Sequence, residues 1–280
     1  FGSRPTIVTV DTQVEGVHFR RDLLSPRELG YRAVVAAASD VWAMGATPSA
    51  SVVALTIPAN QSDEDFRELI EGLAEAARAT GARVIGGNLS QGQALTVTTT
   101  VFGLPIADSL TREGATPGDA VYVTGTLGAS ALGFAVLDAG GVQSEAAARF
   151  VERWKRPPLN GRLAKSLAGI ASAAVDVSDG CLQDLQHLTS ASRVGAVVRI
   201  EALPTAPGHA ELCDALGLDP TVLALTGGAD SELLVTAAES KEAAALGTRI
   251  GEIIDGDGVR VLDSNGDELV LERRGYRHFS

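Results

Sequence analysis

Aspartates placed at the ends of short apolar strands constrain this sequence more than any other feature. The stretch Thr9–Phe19 reads T-V-D-T-Q-V-E-G-V-H-F, so the apolar run Ile7–Val10 stops directly at Asp11. A strand that ends in a carboxylate delivers it to a sheet edge, where ligands usually bind. A strand followed by an ordinary polar turn would explain this acid alone, but acids in similar surroundings recur further along the chain. They are Asp40, Asp176 and Asp179.

Length and charge narrow the class of protein. A chain of 280 residues suggests two domains or one large one, and 45% hydrophobic residues can fill a sizeable core. The net charge of −12, from 35 acidic and 23 basic side chains, opposes nonspecific nucleic-acid binding. An acidic balance suits a protein that gathers carboxylates around divalent cations, although an ordinary acidic surface also accounts for most of the excess.

Membrane and redox signals point to a cytoplasmic protein. No apolar run approaches membrane-spanning length, and no signal-peptide pattern opens the sequence, so no membrane partner is expected. Cys181 and Cys213 lack metal-type spacing, which fits free, buried thiols in a reducing compartment.

In the first half, a helix is predicted from Ser25 to Met44. Its start carries a capping serine, a proline in the first turn and Glu28, and Gly45 is a natural stop. Asp40 lies in the last turns among small residues, so it should be partly buried and need a cation or donors. A core-edge acid bonded to neighbouring backbone N–H groups is the structural alternative.

A second helix, 62–79, lies between strands at 51–57 and 83–85. The latter strand is expected to run into the turn-like triplet Gly86-Gly87-Asn88, where the backbone could approach a ligand closely. Most such triplets are plain turns, so the signal is weak by itself. The alternating stretch 95–104 predicts the clearest strand of this half.

The turn-rich stretch R-E-G-A-T-P-G-D at 112–119 predicts a domain boundary, giving domains 1–119 and 120–280. The strand 120–124 then leads into the glycine-rich turn 125–128. This turn lacks the lysine and spacing of a P-loop, so it is interpreted mostly as a structural turn.

The second strong site signal is V-D-V-S-D-G at 175–180, between a strand at 173–177 and a helix at 181–192. A hydroxyl and two carboxylates around a glycine turn could hold Mg²⁺ and orient a nucleotide phosphate. Helix capping would explain Asp179 equally well, but it would not explain Asp176.

The remaining chain mixes strands, short helices and the T-G-G-A-D-S-E segment at 226–232. Asn265-Gly266 predicts a hairpin between 259–262 and 268–271. The expected fold is α+β with two α/β subdomains. The N-terminal sheet should carry helices on one face, and the C-terminal subdomain should also pack helices on a sheet.

Taken together, these stretches resemble the thiamine-monophosphate kinase family, within the wider aminoimidazole-ribonucleotide-synthetase-like proteins. The resemblance covers nearly all of the chain and rests on the order and spacing of several motifs. They are V-D-T-Q-V-E-G-V-H-F at 10–19, S-D-V-W-A-M-G-A-T-P at 39–48, I-G-G-N at 85–88, R-E-G-A-T-P-G-D at 112–119, V-T-G-T-L-G at 123–128, V-D-V-S-D-G at 175–180 and G-Y-R-H-F at 275–279.

The resemblance implies ATP-dependent phosphorylation of thiamine monophosphate to thiamine diphosphate, by direct transfer of the γ-phosphoryl group. Both reactants are polyanions, so several Mg²⁺ ions would be needed, with ATP as co-substrate. It further implies a homodimer whose N-terminal sheets pair across the two-fold axis.

Site residues are transferred from the family by motif position. Asp11, Asp176 and Asp179 would be catalytic acids and metal ligands. The full metal set would be Thr9, Val10 through its backbone, Asp11, Asp40, Asn88, Asp176 and Asp179. The ATP contacts would be Gly87, Asn88, Arg112 and Ser178. The substrate contacts would be His18, Asp230 and Tyr276.

Three departures from the family pattern keep alternatives open. A Gly-Asp-Asp-Ala stretch usual in the family precedes the first strand and is not part of this sequence, and Asn88 stands where the family usually has Asp. Ala229 and Ser231 replace a usual Glu and an aromatic residue. Another ATP-using enzyme of the superfamily and a non-catalytic nucleotide-binding relative are therefore the competing hypotheses.

Overall fold

The computed structural model describes residues 6–141 and 144–276 and divides into two compact units. One unit consists of Phe1–Ala107 together with Lys155–Lys165, and the other of Asp108–Trp154 together with Ser166–Ser280.

The first unit is a four-stranded sheet with two helices. Its elements are β1 (Ile7–Val14), α1 (Pro26–Ala43), β2 (Ala46–Pro58), α2 (Asp63–Thr80), β3 (Arg83–Gly92) and β4 (Thr96–Pro105). The strand order is β1-β4-β2-β3, in which β2 and β3 are parallel and the other pairs are antiparallel.

Side-chain alternation along the strands separates a covered face from an open one. On β4, Val97, Thr99 and Val101 are buried on the face that α1 covers. On β1, Val8 and Val10 project from the opposite face and are 53% and 61% exposed. Because side chains alternate along a strand, Thr9 and the other odd-numbered residues of β1 point toward α1.

Local sequence signals explain how the two helices form and pack. Ser25 and Glu28 make the reciprocal capping box at the start of α1, as the sequence predicts. The two helices approach closely at two glycines. A Cβ on Gly30 would lie 2.3 Å from the carbonyl oxygen of Leu69, and one on Gly72 would lie 2.0 Å from that of Arg27. Larger side chains there would push the helices apart.

The second unit is built on a six-stranded sheet in the order β10-β7-β9-β5-β8-β6. Its strands are β5 (Ala120–Val123), β6 (Ala173–Asp176), β7 (Gly195–Arg199), β8 (Leu233–Ala237), β9 (Thr248–Ile254) and β10 (Val259–Leu262). The helices that follow β5 in sequence are α3 (Ala129–Asp138), α4 (Glu145–Lys155), α5 (Gly161–Leu167), α6 (Cys181–Ser192), α7 (His209–Ala215), α8 (Pro220–Thr226) and α9 (Lys241–Ala244). Most of α5 lies in Lys155–Lys165, which belongs to the first unit. The main core of the second unit packs α6, through Leu182, Leu185 and Leu188, against the sheet. The predicted α+β class with two subdomains is confirmed.

Three expectations differ from the structure. The strand predicted at 83–85 continues to Gly92, because the backbone of Gly86-Gly87-Asn88 pairs in parallel with β2 instead of turning. The predicted hairpin after β10 is reduced to a single bridge between Leu262 and Glu268, while β10 itself pairs in parallel with β7.

The predicted boundary at 119/120 also differs from the division into units. Lys155–Lys165, which follows that boundary in sequence, belongs to the first unit. The reason is a set of polar contacts: Arg156 pairs with Glu75 on α2 and stacks over the ring of Tyr31 on α1 at 3.8 Å.

Candidate active site

In the first unit, the acids of β1 and α1 face each other. Thr9 on β1 donates a hydrogen bond of 2.5 Å from its hydroxyl to Oδ2 of Asp40 on α1. The close approach of helix and sheet depends on Gly103, where a Cβ would lie 2.4 Å from a methyl group of Val41. The sequence prediction that Asp40 is a partly buried acid with a donor is therefore correct.

Asp11 lies close enough to Asp40 for the two charges to repel. Burial raises the pKa of Asp11 above its ordinary value, and the neighbouring Asp40 raises it further. Gln13 donates to Asp11 at 3.4 Å, and the buried guanidinium of Arg32 lies near the same carboxylate. Burial lowers the pKa of Arg32 to about 10, an effect that Asp11 opposes.

His18 lies in the loop that follows β1 and is held by the backbone of that strand. Its Nδ1 accepts a hydrogen bond of 3.1 Å from the backbone N–H of Val14. An imidazole whose Nδ1 is an acceptor carries its proton on Nε2, so the ring offers one N–H donor at its other edge. Glu15 anchors the same loop by accepting from Leu95 and pairing with Arg21.

The edge strand β3 presents Gly87 and Asn88 beside an apolar groove. The backbone pairing explains the glycine, because a Cβ on Gly87 would lie 1.9 Å from the carbonyl oxygen of Val53. Asn88 is exposed. The groove has a volume of about 460 Å³ and is lined mainly by apolar side chains of α2, β2 and β3, such as Leu55, Leu73 and Leu89. This volume lies in the range typical of small-molecule sites.

In the second unit, the loop after β6 is shaped by a residue that the sequence analysis did not single out. Asp184, in the first turn of α6, accepts three backbone hydrogen bonds at one oxygen, Oδ2. The donors are the N–H groups of Ser178 at 2.9 Å, Asp179 at 3.0 Å and Gly180 at 3.1 Å. Asp176, the last residue of β6, is 6% exposed. We call residues 176–180 the metal loop, after the prediction made for its acids.

Burial and the charge of Asp179 raise the pKa of Asp184 to about 7, although its three hydrogen bonds act in the opposite direction. Ligand atoms of Asp179, Asp184 and His187 all lie within 4.8 Å of one another. The sequence analysis also did not identify His187 as a site residue. The spacing Asp184 to His187, three residues apart on one helix face, was the signal that could have indicated it.

The segment around Asp230 packs on the metal loop through its backbone. The N–H groups of Ala229 and Ser231 donate to the carbonyl oxygens of Ser178 and Val177, at 2.7 and 2.9 Å. Ala229 and Ser231 both adopt positive φ, 62° and 52°, a conformation that costs energy for residues other than glycine.

Asp230 itself points inward. Its carboxylate is fully buried and accepts from the N–H groups of Gly128 at 2.6 Å and Ser130 at 2.9 Å, so it caps α3. The turn at 125–128 therefore meets a carboxylate of the protein, in agreement with its interpretation as a structural turn.

The predicted site residues thus fall into two groups. Thr9, Val10, Asp11, His18, Asp40, Gly87 and Asn88 belong to the first unit, and Arg112, Asp176, Ser178, Asp179, Asp230 and Tyr276 belong to the second. Tyr276 joins the metal loop through a backbone hydrogen bond to Asp179. Arg112 is exposed, and its carbonyl oxygen accepts from Ser192. Arg277, His278 and Phe279 of the aromatic tail lie outside the described residues.

The donor set in both groups fits a hard divalent cation. It consists of carboxylates with a hydroxyl or an amide oxygen nearby, which are the ligands that Mg²⁺ prefers. In the first group, the mutual repulsion of Asp11 and Asp40 is the physical feature that a bound cation would relieve.

Comparison with known proteins decides the family. Residues 2–105 match the N-terminal domain of the AIR synthase related proteins, and residues 116–264 match the C-terminal domain. The thiamine-monophosphate kinase of Salmonella typhimurium strain LT2 is 36% identical over 289 residues, covering 98% of this chain and 86% of the relative. The chain belongs to the thiamine-monophosphate kinase family.

Other members of the thiamine-monophosphate kinase family agree. The enzyme of Bacillus subtilis strain 168 is 33% identical, covering 98% of this chain and 88% of the relative. The solved structure of AaThiL complexed with AMPPCP and TMP covers 100% of this chain and 89% of its own, with a TM-score of 0.92 and 30% identity. Escherichia coli HypE, a hydrogenase maturation protein, shares the fold with a TM-score of 0.78 at 22% identity, over 96% of this chain and 85% of its own.

No helix in the part of the chain that the structure describes is both long and apolar enough to span a bilayer.

Proposed function

We infer that this chain transfers the γ-phosphoryl group of ATP to the phosphate of thiamine monophosphate, which yields thiamine diphosphate and ADP. The observation that carries this inference is 36% identity to a thiamine-monophosphate kinase over nearly the whole chain. The acid clusters of the two units supply the chemistry that such a transfer requires. This likeness does not favour the competing hypotheses of a different acceptor or a non-catalytic relative.

We propose that the acids hold magnesium. The ligands would be Asp11 and Asp40 with the Thr9 hydroxyl, the Val10 backbone and Asn88 in one unit, and Asp176 and Asp179 in the other. When bound, the cations supply charge neutralisation that lets two phosphate chains approach and stabilises the charge on the transferred group. No activated side-chain nucleophile is required, because the substrate phosphate itself is the attacking group.

The protein's part in this chemistry is to hold its acids in place. Thr9 fixes the orientation of Asp40 through its hydrogen bond. Asp184 fixes the metal loop through three backbone donors, so that Asp176 and Asp179 follow a defined backbone path. Such preorganisation is the main contribution that a protein makes to phosphoryl transfer.

The apolar groove beside β3 is the proposed seat of the nucleotide base. Gly87 and Asn88 line it, its walls are apolar, and its volume suits a flat purine. Arg112 and Ser178 are proposed to contact the phosphates, as the family pattern implies.

For thiamine monophosphate, the proposed contacts are His18 and Tyr276. The Nε2–H of His18 would donate to the substrate phosphate, and the ring of Tyr276, which is 44% exposed, would stack on the cationic ring of the substrate. Asp230 is proposed to act on the substrate only through the backbone of its segment, because its carboxylate caps α3.

We propose that the chain forms a homodimer through the open face of the four-stranded sheet. This face, defined here by Val8, Val10 and Leu104, exposes apolar side chains that are 53%, 61% and 51% accessible. Several exposed apolar side chains on one sheet face are typical of an interface between subunits. We also place the protein in the cytoplasm, a proposal supported by the two free, buried cysteines, Cys181 and Cys213.

The direct test is to incubate the chain with ATP, Mg²⁺ and thiamine monophosphate and to measure thiamine diphosphate and ADP. Equal amounts of both products are expected. In parallel incubations, other phosphate acceptors replace thiamine monophosphate. If no thiamine diphosphate formed and a different acceptor stimulated ADP release, the assignment of the substrate would be contradicted.

A further inference from the structure

We call Gly275-Tyr276, the end of the described chain, the tail. It is attached at one point to the metal loop and at another to α6. The backbone N–H of Tyr276 donates to the carbonyl oxygen of Asp179 at 2.9 Å. The carbonyl oxygen of Tyr276 in turn accepts a hydrogen bond of 2.6 Å from the side-chain amide of Gln183 on α6. The backbone N–H and carbonyl groups of Tyr276 are therefore both held by hydrogen bonds.

The same amide nitrogen of Gln183 also reaches the metal loop. Nε2 donates to Oδ2 of Asp179 at 3.1 Å, so its two hydrogens serve the predicted metal ligand and the tail. Gln183 is thus bonded both to Asp179 of the metal loop and to Tyr276, whose ring is proposed to stack on the substrate. Hydrogen bonds to a ligating carboxylate fix its orientation.

The fit between tail and loop depends on a glycine. A Cβ on Gly275 would lie 2.7 Å from the carbonyl oxygen of Asp179 and 2.7 Å from Cβ of Gln183. Such distances are shorter than normal contacts allow, so any other residue would displace the tail from α6.

We propose that Gln183 is a positioning residue that couples the Gly275-Tyr276 tail to the metal loop, so that Tyr276 is placed correctly for thiamine monophosphate. The proposal rests on the function inferred above and extends it to a residue that acts through Asp179 and Tyr276. Its consequence is that substrate affinity depends on an amide located on α6.

The test compares Gln183→Met with Gln186→Met in the full chain. Methionine keeps the length of glutamine but cannot donate a hydrogen bond. Gln186 lies on the same helix, and among the described residues its side-chain amide bonds to Thr189 and Ser190 of that helix, which makes it the matched control. Gln183→Met loses the hydrogen bonds to both Asp179 and Tyr276. We expect the loss of the bond to Tyr276 to raise KM for thiamine monophosphate about tenfold, while KM for ATP stays unchanged.

Gly275→Ala is a second way to displace the tail from α6, and it leaves the amide group of Gln183 in the chain. It should raise KM for thiamine monophosphate as Gln183→Met does, with the magnesium concentration for half-maximal activity unchanged. A rise confined to the magnesium requirement in Gln183→Met, with normal KM in Gly275→Ala, would overturn the proposal.

Hydrogen exchange at the Tyr276 amide gives a readout that is independent of activity. This amide donates to Asp179, so we expect slow exchange in the parent chain and fast exchange in Gln183→Met. Unchanged protection in Gln183→Met, or lost protection with a normal KM, would contradict the coupling. If the parent chain made no thiamine diphosphate, the inferred function would fail, while the exchange comparison would still decide whether Gln183 holds the tail.

Discussion

The hydroxyl of Thr9 and the carboxylate of Asp40 form a hydrogen bond of 2.5 Å that joins β1 to α1 across 31 positions of sequence. The bond orients one acid of the first group while the neighbouring Asp11 repels it. In the proposed metal site, this bond would set the orientation in which Asp40 meets a cation.

Replacing Thr9 by valine should weaken magnesium binding without disturbing the sheet, because valine is well tolerated in strands. Loss of a hydrogen bond to a charged group should raise the magnesium concentration for half-maximal activity roughly tenfold. Thr9→Ser keeps the hydroxyl and is the control. A magnesium titration of both variants that gave identical midpoints would show that the hydrogen bond does not orient Asp40.

Replacing Asp184 by alanine should destabilise the second unit. Three backbone N–H groups would lose their shared acceptor, which should lower the free energy of unfolding by roughly 2–4 kcal/mol. Asp184→Asn keeps one side-chain oxygen and should lose less. Denaturant unfolding followed by circular dichroism measures the free energy of unfolding of both variants. Equal losses in the two variants would mean that the three hydrogen bonds to Asp184 do not account for its contribution to stability.

Asp230 should make stability depend on pH. Burial raises its pKa to about 7, whereas two backbone hydrogen bonds and Arg153 oppose the shift. The folded state therefore favours the protonated carboxyl group, and its stabilising effect, complete below the unfolded pKa near 4, is lost as pH rises through about 7.

Asp230→Asn removes this titration. The variant should lose less stability than the parent between pH 5 and pH 8, as measured by denaturant unfolding at each pH. Asp184 titrates in the same direction in both proteins, so the difference between the two curves isolates Asp230. Parallel curves would contradict the raised pKa.

Replacing Val8 by aspartate should prevent dimer formation. The side chain is on the open face, so a buried charge would be placed in the proposed interface and opposed by its symmetry mate. Sedimentation should show a monomer for Val8→Asp and a dimer for Asn60→Asp, which adds the same charge at an exposed turn. A monomeric parent chain would contradict the proposed homodimer.

The sequence was most informative where local chemistry decides the structure. Ser25 and Glu28 predicted the start of α1 because a capping box is a local device, and the acid at position 40 followed from its surroundings on that helix. The glycines at 86 and 87 misled because a triplet typical of turns can also belong to an edge strand. Close pairing with β2 excludes a side chain at Gly87.

Tertiary contacts set the limit of prediction. Asp184 resembled an ordinary acid in the first turn of a helix, and its three donors come from a loop whose path the sequence does not reveal. Asp230 lies in the expected segment, but only the structure shows its carboxylate turned inward to cap α3, 100 positions away from Ser130. Side-chain direction in an irregular segment depends on the whole fold.

The most direct test of the account measures thiamine diphosphate formed from ATP and thiamine monophosphate by Asp11→Asn and Asp176→Asn, across a magnesium titration. Asp214→Asn, at an exposed acid of α7, is the control. Both site variants should fold normally and lose about 100-fold or more in turnover, because each removes charge from a proposed metal ligand, while the control should match the parent. Normal turnover in both site variants at every magnesium concentration would contradict the central claim that these aspartates hold the metal for phosphoryl transfer.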